Sequence, residues 1–164
     1  MHLDLNRGWT FTENCDDAFL RGESVPGLTI VDLPHTCHET PYDYFDESLY
    51  QMVCGYRRML SIPSEWKDKR LILHIGAAGH SAEVFVNGKM IAEHHCGYTA
   101  FSAELTDYLQ PGEDALLIIR VNSRENQDIP PFGNVIDYMT YGGLYRQVWL
   151  DIKEMSYIED VFAM

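Results

Sequence analysis

The stretch Tyr141-Gly142-Gly143-Leu144-Tyr145-Arg146-Gln147-Val148-Trp149-Leu150 joins a glycine pair to an alternating run of side chains. In an extended strand, successive side chains point to opposite faces, so the leucines and Val148 share one face with Arg146. Paired glycines allow positive φ or a sharp turn just before the strand. Residues 137–141, Asp-Tyr-Met-Thr-Tyr, precede them and carry a carboxylate and two phenols. The pattern therefore predicts a polar, aromatic loop that is anchored by a buried strand.

Short alternating runs of the same kind recur along the chain, with turn residues between them. They cover residues 9–12, 28–33, 56–62, 71–75, 81–86, 89–94 and 115–121. Asn87-Gly88 between two of these runs favours a type I′ hairpin, because both central positions need positive φ. Helical periodicity is almost absent, and only residues 101–109 suit a short helical turn, with Ser102 as its cap. We therefore expect an all-β fold, an antiparallel β-sandwich of the jelly-roll type.

The chain is strongly acidic, and its charge limits the classes of partner. It has 164 residues, enough for one domain, with 12 Lys plus Arg against 25 Asp plus Glu and a net charge of −13. This balance argues against nucleic acid and against anionic membrane surfaces. No run reaches the ~18 apolar residues that span a bilayer, and the N-terminus has no apolar core of a secretory signal. We expect a cytoplasmic protein without nucleic-acid or membrane partners.

The cysteines and histidines do not form a recognised metal motif. Four cysteines occur without a Cys-X-X-Cys pair, and we expect free thiols: Cys15, Cys37, Cys54 and Cys96. His35-Thr36-Cys37-His38 and His94-His95-Cys96 contain possible zinc ligands, but their spacing matches no known zinc site. Turn and surface histidines are the favoured interpretation. The sequence therefore predicts no metal and no other cofactor.

The longest irregular segment, residues 122–141, leads into the glycine pair. Unstructured segments of this length in compact β domains are usually functional or disordered. Aromatic rings stack on sugars, and carboxylates or amides bind their hydroxyls. The segment supplies both kinds of group: Phe132, Asn134, Asp137, Tyr138 and Tyr141. The alternative is that the two tyrosines pack under the loop and Asp137 caps a turn, and the residues alone leave both possibilities open.

Several short motifs follow one another along almost the whole chain. They are Leu5-Asn6-Arg7-Gly8-Trp9-Thr10-Phe11, Val31-Asp32-Leu33-Pro34-His35-Thr36, Gly55-Tyr56-Arg57-Arg58, Val84-Phe85-Val86-Asn87-Gly88, Gly97-Tyr98-Thr99-Ala100-Phe101 and the stretch that begins at Tyr141. In this order they resemble the N-terminal sugar-binding domain of glycoside hydrolase family 2, which contains β-galactosidases, β-glucuronidases and β-mannosidases. Cys37 and Gly55 stand where the family usually has an aromatic residue, so a larger or softer packing site is expected at each.

The resemblance implies a galactose-binding-domain-like jelly roll that packs against an immunoglobulin-like domain and a (β/α)₈ barrel in a longer protein. In such enzymes the catalytic glutamates lie in the barrel, and the barrel's Asn-Glu motif does not occur in this sequence. The expected function is therefore a non-catalytic sugar-binding domain of a retaining β-glycosidase, of the β-galactosidase or β-glucuronidase class, which hydrolyses O-glycosidic bonds in carbohydrate metabolism. The alternative is a stand-alone carbohydrate-binding or protein-interaction β-sandwich.

The resemblance also implies which residues contact a terminal β-linked sugar. Asp137 matches by position the family's aspartate that binds hydroxyls of that sugar. Tyr138 and Asn134, on the same loop, are expected to contribute to substrate binding. His35 is a further candidate, because the corresponding segment approaches the site in the family. No residue of this chain is expected to be catalytic.

Two further expectations concern one arginine and the domain boundary. Arg146 is expected to be a buried guanidinium that ties the sheet to the loop. Residues 1–152 are expected to form the jelly-roll domain. Residues 153–164 are expected to be a linker and the first strand of a following domain.

Overall fold

Two antiparallel β-sheets form the fold in the computed structural model, which describes residues 1–39, 46–130, 132 and 140–163. Within these ranges lie ten strands: β1 (His2–Asp4), β2 (Trp9–Thr12), β3 (Thr29–Val31), β4 (Val53–Ser61), β5 (Lys69–Ile75), β6 (Ser81–Val86), β7 (Lys89–His95), β8 (Phe101–Glu104), β9 (Asp114–Asn122) and β10 (Val148–Glu154). The helical elements are α1 (Asp17–Leu20) and 3₁₀ turns at Glu47–Tyr50, Ser64–Trp66 and Thr106–Tyr108. The predicted all-β antiparallel sandwich is confirmed.

The strand order places the C-terminal strand in the middle of the smaller sheet. That sheet runs β1-β10-β5-β8, and the larger one runs β3-β2-β4-β9-β6-β7. On β10, Val148, Leu150 and Ile152 are all buried, because alternate residues of a strand face the core. Fully burying one such side chain contributes about 1.5–3 kcal/mol. The apolar alternation seen in the sequence therefore encodes a central strand.

The turn between β6 and β7 is the predicted hairpin. Asn87 has φ 50° and Gly88 has φ 79°, the two positive values that a type I′ turn requires. The Asn87 side-chain oxygen also accepts a hydrogen bond from the Leu116 N–H (2.8 Å). This contact ties the turn to the neighbouring strand β9.

A second, smaller core lies on the outer face of the larger sheet. Helix α1 places the fully buried Phe19 beside Cys15 and Ile118 of β9. A Cβ atom at Gly55 would lie 2.5 Å from the Phe19 ring. The Phe19 ring therefore occupies the space next to Gly55, and the expected larger packing site is not found there. A four-residue helix is too short to give a periodic pattern in the sequence, so α1 was not predicted.

Two strand assignments and one helical turn predicted from the sequence need correction. The first strand is β1, ahead of the predicted run at residues 9–12. The predicted helical turn at residues 101–109 is wrong at its start, because Ser102 lies within β8 and the 3₁₀ turn begins only at Thr106. The strand after the glycine pair begins at Val148 rather than at Leu144. Leu144 is nevertheless fully buried, because its side chain packs into the core from a loop.

The C-terminal end of the described chain leaves the sandwich. Strand β10 continues to Glu154, two residues past the predicted domain boundary, and residues 157–163 contain neither helix nor strand. Ile158 and Phe162 are 79% and 86% exposed. That residues 153–164 belong to a following domain stays a prediction. Within the described residues, no helix is long and apolar enough to cross a membrane.

Candidate functional site

The glycine pair is the structural centre of the predicted sugar-binding end. The Cys37 N–H donates to the Gly142 carbonyl oxygen (3.0 Å), and the His35 N–H donates to the Leu144 carbonyl oxygen (2.8 Å). From another loop, the Gly79 N–H donates to the Gly143 carbonyl oxygen (3.0 Å). Residues 142–144 are therefore held between two other segments by backbone hydrogen bonds. These three residues are called the junction below.

Both glycines are required by close contacts rather than by flexibility. A Cβ atom at Gly142 would lie 2.5 Å from Cys37 Sγ and from Ser123 Cβ. At Gly143, φ is 98°, and a Cβ atom would lie 2.5 Å from the Tyr56 hydroxyl and 2.9 Å from the His35 carbonyl oxygen. Side chains rarely adopt such a φ, and no room exists for one here. Cys37 thus packs tightly against the junction, and its predicted larger packing site is not found.

His35 is the one predicted site residue that the structure describes, and it is half-buried beneath this junction. Its Nδ1 lies 3.0 Å from the Tyr56 hydroxyl, and its ring packs edge-on against Phe11 at 4.7 Å between centroids. Burial lowers the pKa of His35, and the charge of Glu39 opposes this effect. The imidazole is therefore held neutral near pH 7.

Tyr56 links the larger sheet to the junction from below. Its side chain is fully buried, and its hydroxyl oxygen accepts from the Leu144 N–H (3.3 Å). Burial raises the pKa of Tyr56 well above its ordinary value, so the hydroxyl keeps its proton. The sequence contained this residue only as part of a strand motif. Its role as a support of the junction depends on the pairing of distant segments, which no local pattern reveals.

The other predicted substrate-binding residues, Asp137, Tyr138 and Asn134, lie outside the described residues. Two aromatic residues of the same segment are described. Phe132 is 48% exposed and Tyr141 is 49% exposed. The Tyr141 ring meets the buried Tyr50 edge-on at 6.2 Å. Both rings are therefore accessible from solvent.

The beginning of the long segment is anchored by residues that the sequence did not single out. The Ser123 hydroxyl donates to the Tyr50 carbonyl oxygen, and its Oγ lies 3.1 Å from the Met52 carbonyl oxygen. His80 is 4% exposed, and its Nδ1 lies 3.4 Å from the Arg124 carbonyl oxygen. Burial lowers the pKa of His80.

A second backbone contact holds the segment further along. The Gly97 N–H donates to the Pro130 carbonyl oxygen (3.3 Å), and the Tyr145 hydroxyl donates to the Gly97 carbonyl oxygen. Gly97 therefore connects Pro130, near the middle of the segment, with Tyr145, which follows its end. Together with Gly79 and His80, it fixes both described ends of the segment to the sandwich.

Arg146 was expected to be a buried guanidinium, and the structure corrects this prediction. Its side chain is exposed rather than buried, because β10 begins two residues later and position 146 is not on the buried face of a strand. The guanidinium donates to the Tyr98 carbonyl oxygen (3.2 Å) and lies 5.6 Å from the Tyr145 ring centroid. Arg146 therefore does tie two loops together, but it does so at the surface.

The cysteines are free thiols, as predicted. Among residues 1–39, 46–130, 132 and 140–163, no three His, Cys, Asp or Glu side chains are grouped so that they could hold a metal. The histidines of the two predicted clusters have other contacts. His94 stacks on Phe101 at 4.4 Å between centroids, and His38 lies 3.5 Å from a Glu13 carboxylate oxygen.

Comparison with known proteins identifies the family. The family described as "Glycosyl hydrolases family 2, sugar binding domain" matches residues 26–153. The chain belongs to glycosyl hydrolase family 2. A β-galactosidase from Thermoanaerobacter pseudethanolicus is 36% identical over 162 residues, which cover 98% of this chain and 22% of that protein. A β-glucuronidase from Bacteroides fragilis is 39% identical over 155 residues, covering 94% of this chain and 21% of that protein.

Solved structures support the same assignment for this family 2 domain. The crystal structure of a Bacteroides uniformis β-glucuronidase superimposes with a TM-score of 0.81 at 34% identity, covering 93% of this chain and 18% of that one. The chain thus spans about a fifth of the length of its relatives. The sandwich described above is the fold of the sugar-binding domain of family 2.

Proposed function

We propose that this chain is the non-catalytic sugar-binding domain of a retaining β-glycosidase of the β-galactosidase or β-glucuronidase class. The observation that carries the proposal is the match, at 36% and 39% identity over nearly the whole chain, to a β-galactosidase and a β-glucuronidase of which it spans 22% and 21%. Retaining glycosidases use two carboxylates about 5–5.5 Å apart as nucleophile and acid/base. In this proposal an accompanying barrel domain supplies that pair, and an immunoglobulin-like domain is a further partner.

The role of this chain is then to bind the terminal sugar next to the catalytic carboxylates. Asp137, with Tyr138 and Asn134, is proposed to contact its hydroxyls. A carboxylate that accepts hydrogen bonds from two vicinal hydroxyls discriminates between sugar epimers, because a charged hydrogen bond is about twice as strong as a neutral one. His35 would contact the sugar through Nε2, since its Nδ1 faces the Tyr56 hydroxyl.

The described framework supports this assignment. The junction at Gly142 and Gly143 is fixed by backbone hydrogen bonds from Cys37 and Gly79. Binding residues on a loop are effective when a rigid scaffold positions the loop, since less conformational entropy is lost when the ligand binds. The two anchored ends are the rigid part of such a site.

Calorimetry separates this proposal from a stand-alone binding module. A site that is completed by other domains should bind galactose or glucuronate only weakly in the 164-residue chain, with Kd of about 1 mM or higher. The longer protein that contains the chain should bind the same sugars more tightly. Micromolar binding of a monosaccharide by the 164-residue chain would favour the stand-alone module instead.

A further inference from the structure

The outer face of the four-stranded sheet carries one large aromatic side chain, Trp149, in a polar setting. Across the strands it lies between Asp4 of β1 and His74 of β5 in register. The indole stacks on His74 with 5.0 Å between centroids and an interplanar angle of 9°, and it remains partly exposed. The other two tryptophans, Trp9 and Trp66, belong to the core. Trp149 is therefore the tryptophan that is available to a ligand.

Two surface cavities meet at Trp149. One, of about 320 Å³, is lined by His2, Asp4, Asn6, Gln147 and Trp149. The other, of about 400 Å³, is lined by Pro34, Gly76, Tyr145, Arg146, Gln147 and Trp149. Because Gln147 and Trp149 line both, the two cavities lie next to each other, and together they are called the Trp149 groove. Each volume lies within the range of about 300–1,000 Å³ that is usual for ligand pockets, so each cavity has room for one sugar unit.

The groups along this groove are those that bind carbohydrate. The His2 ring also approaches the indole, at 5.8 Å between centroids, so the exposed part of the indole is what offers an apolar surface to a pyranose ring. The Gln147 amide and the Asp4 carboxylate offer hydrogen-bonding atoms for hydroxyls. Asp4 is already oriented, because its Oδ1 accepts from the Asn6 N–H (2.6 Å). A preorganised acceptor loses little entropy when a ligand binds.

The charges along the groove select against an acidic sugar. Asp4 lines it, and Asp151 lies beside it with one oxygen 2.9 Å from His2 Nδ1 and the other 3.3 Å from His74 Nε2. The chain as a whole carries a net charge of −13. Arg146 lines the second cavity and keeps its positive charge, since its guanidinium donates to the neutral Tyr98 carbonyl oxygen. The carboxylates lie at the first cavity and repel an anionic group there, so the sugar unit next to Asp4 should be uncharged.

We propose that the Trp149 groove is a second carbohydrate-binding surface, which takes a neutral oligosaccharide of at least two pyranose units. Such a surface would hold a polymeric or branched glycan on the domain through contacts with sugar units other than the terminal one. The binding is non-covalent and weak, as expected for one stacking platform and a few hydrogen bonds.

Tryptophan fluorescence tests this directly in the 164-residue chain. Acrylamide quenches exposed indoles, so the quenchable emission comes from Trp149, while Trp9 and Trp66 are 0% and 8% exposed. Neutral oligosaccharides, such as cellotetraose and a β-1,4-galactotetraose, should protect this emission with a millimolar Kd. Glucuronate-terminated oligosaccharides should protect it at least tenfold less well.

Variants test whether oligosaccharides bind at the Trp149 groove. In calorimetry, Trp149→Ala and Gln147→Ala should each weaken oligosaccharide binding about tenfold or more. Asp4→Asn should also weaken binding, while the new amide oxygen can still accept the hydrogen bond from the Asn6 N–H. Phe162→Ala, which removes a ring that is 86% exposed elsewhere, should leave the affinity unchanged. Circular dichroism checks that each variant is folded.

Three results would overturn the inference. They are no protection of the quenchable emission by any neutral oligosaccharide, binding that survives unchanged in both Trp149→Ala and Gln147→Ala, and a preference for the acidic oligosaccharides. Because the experiment measures binding alone, its outcome does not depend on whether the longer protein hydrolyses a glycoside.

Discussion

Replacing Gly143 with alanine is expected to be among the most damaging single-methyl additions in the chain. Alanine substitutions at three glycines distinguish two causes of lost stability, backbone strain and crowding. Gly27 has φ 75°, and a Cβ atom there would meet no other atom within 4 Å, so Gly27→Ala tests backbone strain alone. Gly142 has no positive φ, but a Cβ atom there would meet Cys37 and Ser123, so Gly142→Ala tests crowding alone. Gly143 combines both effects.

The expected magnitudes follow from these geometries. A left-handed conformation costs an alanine about 1–2 kcal/mol, part of which is offset by the lower entropy of the unfolded chain. Gly27→Ala should therefore lower the free energy of unfolding by about 1 kcal/mol or less. Overpacking a buried site costs about 1–3 kcal/mol, which we expect for Gly142→Ala. Gly143→Ala should cost about 3–5 kcal/mol, because the added methyl group also displaces the backbone of His35 and its hydrogen bonds.

Urea unfolding followed by circular dichroism measures the three differences under one set of conditions. The order of destabilisation should be Gly143→Ala, then Gly142→Ala, then Gly27→Ala, with unchanged m-values. If Gly143→Ala is no worse than Gly27→Ala, the junction is not held as tightly as the contacts with Tyr56 and His35 indicate.

Two further predictions concern ionisable side chains. Burial lowers the pKa of His80, so its neutral form contributes stability above the unfolded pKa of about 6.5, and this contribution is lost as the pH falls through the folded value. Urea midpoints measured as a function of pH should therefore fall less steeply below pH 6.5 in His80→Asn than in the unmodified chain, and equal slopes would contradict this. Hydrogen bonds from Thr99 and from nearby backbone N–H groups lower the pKa of Cys96, whereas burial raises the pKa of Cys15 to about 12. Iodoacetamide, followed by mass spectrometry, should modify Cys96 first in the folded chain and more slowly in Thr99→Ala; equal rates at Cys96 and Cys15 would count against the described burial.

Most of the fold could be predicted because short stretches of the sequence determine its strands and turns. Alternation predicts the buried faces of strands, and Asn87-Gly88 specifies its turn through two positive φ values. The short elements were missed for the same reason: His2–Asp4 and Asp17–Leu20 are too brief to show a period. Arg146 was assigned to the wrong environment because the alternation was extended back into a loop, where side chains no longer follow the pleat.

The supports of the candidate site were not predictable from local patterns. Tyr56, His80 and Ser123 act through segments that are far away in sequence, such as the contact between Tyr56 and Leu144 across 88 positions. A single sequence does not reveal such pairings. The glycine pair indicated a positive φ, which Gly143 has at 98°, but not the close approach of the segments at His35 and Gly79.

The most direct test of the central claim is the effect of Asp137→Ala on kcat/KM in the longer enzyme that is proposed to contain this chain, with nitrophenyl β-galactoside and β-glucuronide as substrates. Loss of one or two charged hydrogen bonds to the terminal sugar predicts a fall of roughly 10–1000-fold. Asp128→Ala is the matched control, because Asp128 is an exposed carboxylate in the same segment, and its kcat/KM should be unchanged. A folded Asp137→Ala enzyme whose kcat/KM equals that of the control would contradict the assignment of this domain to sugar recognition through Asp137.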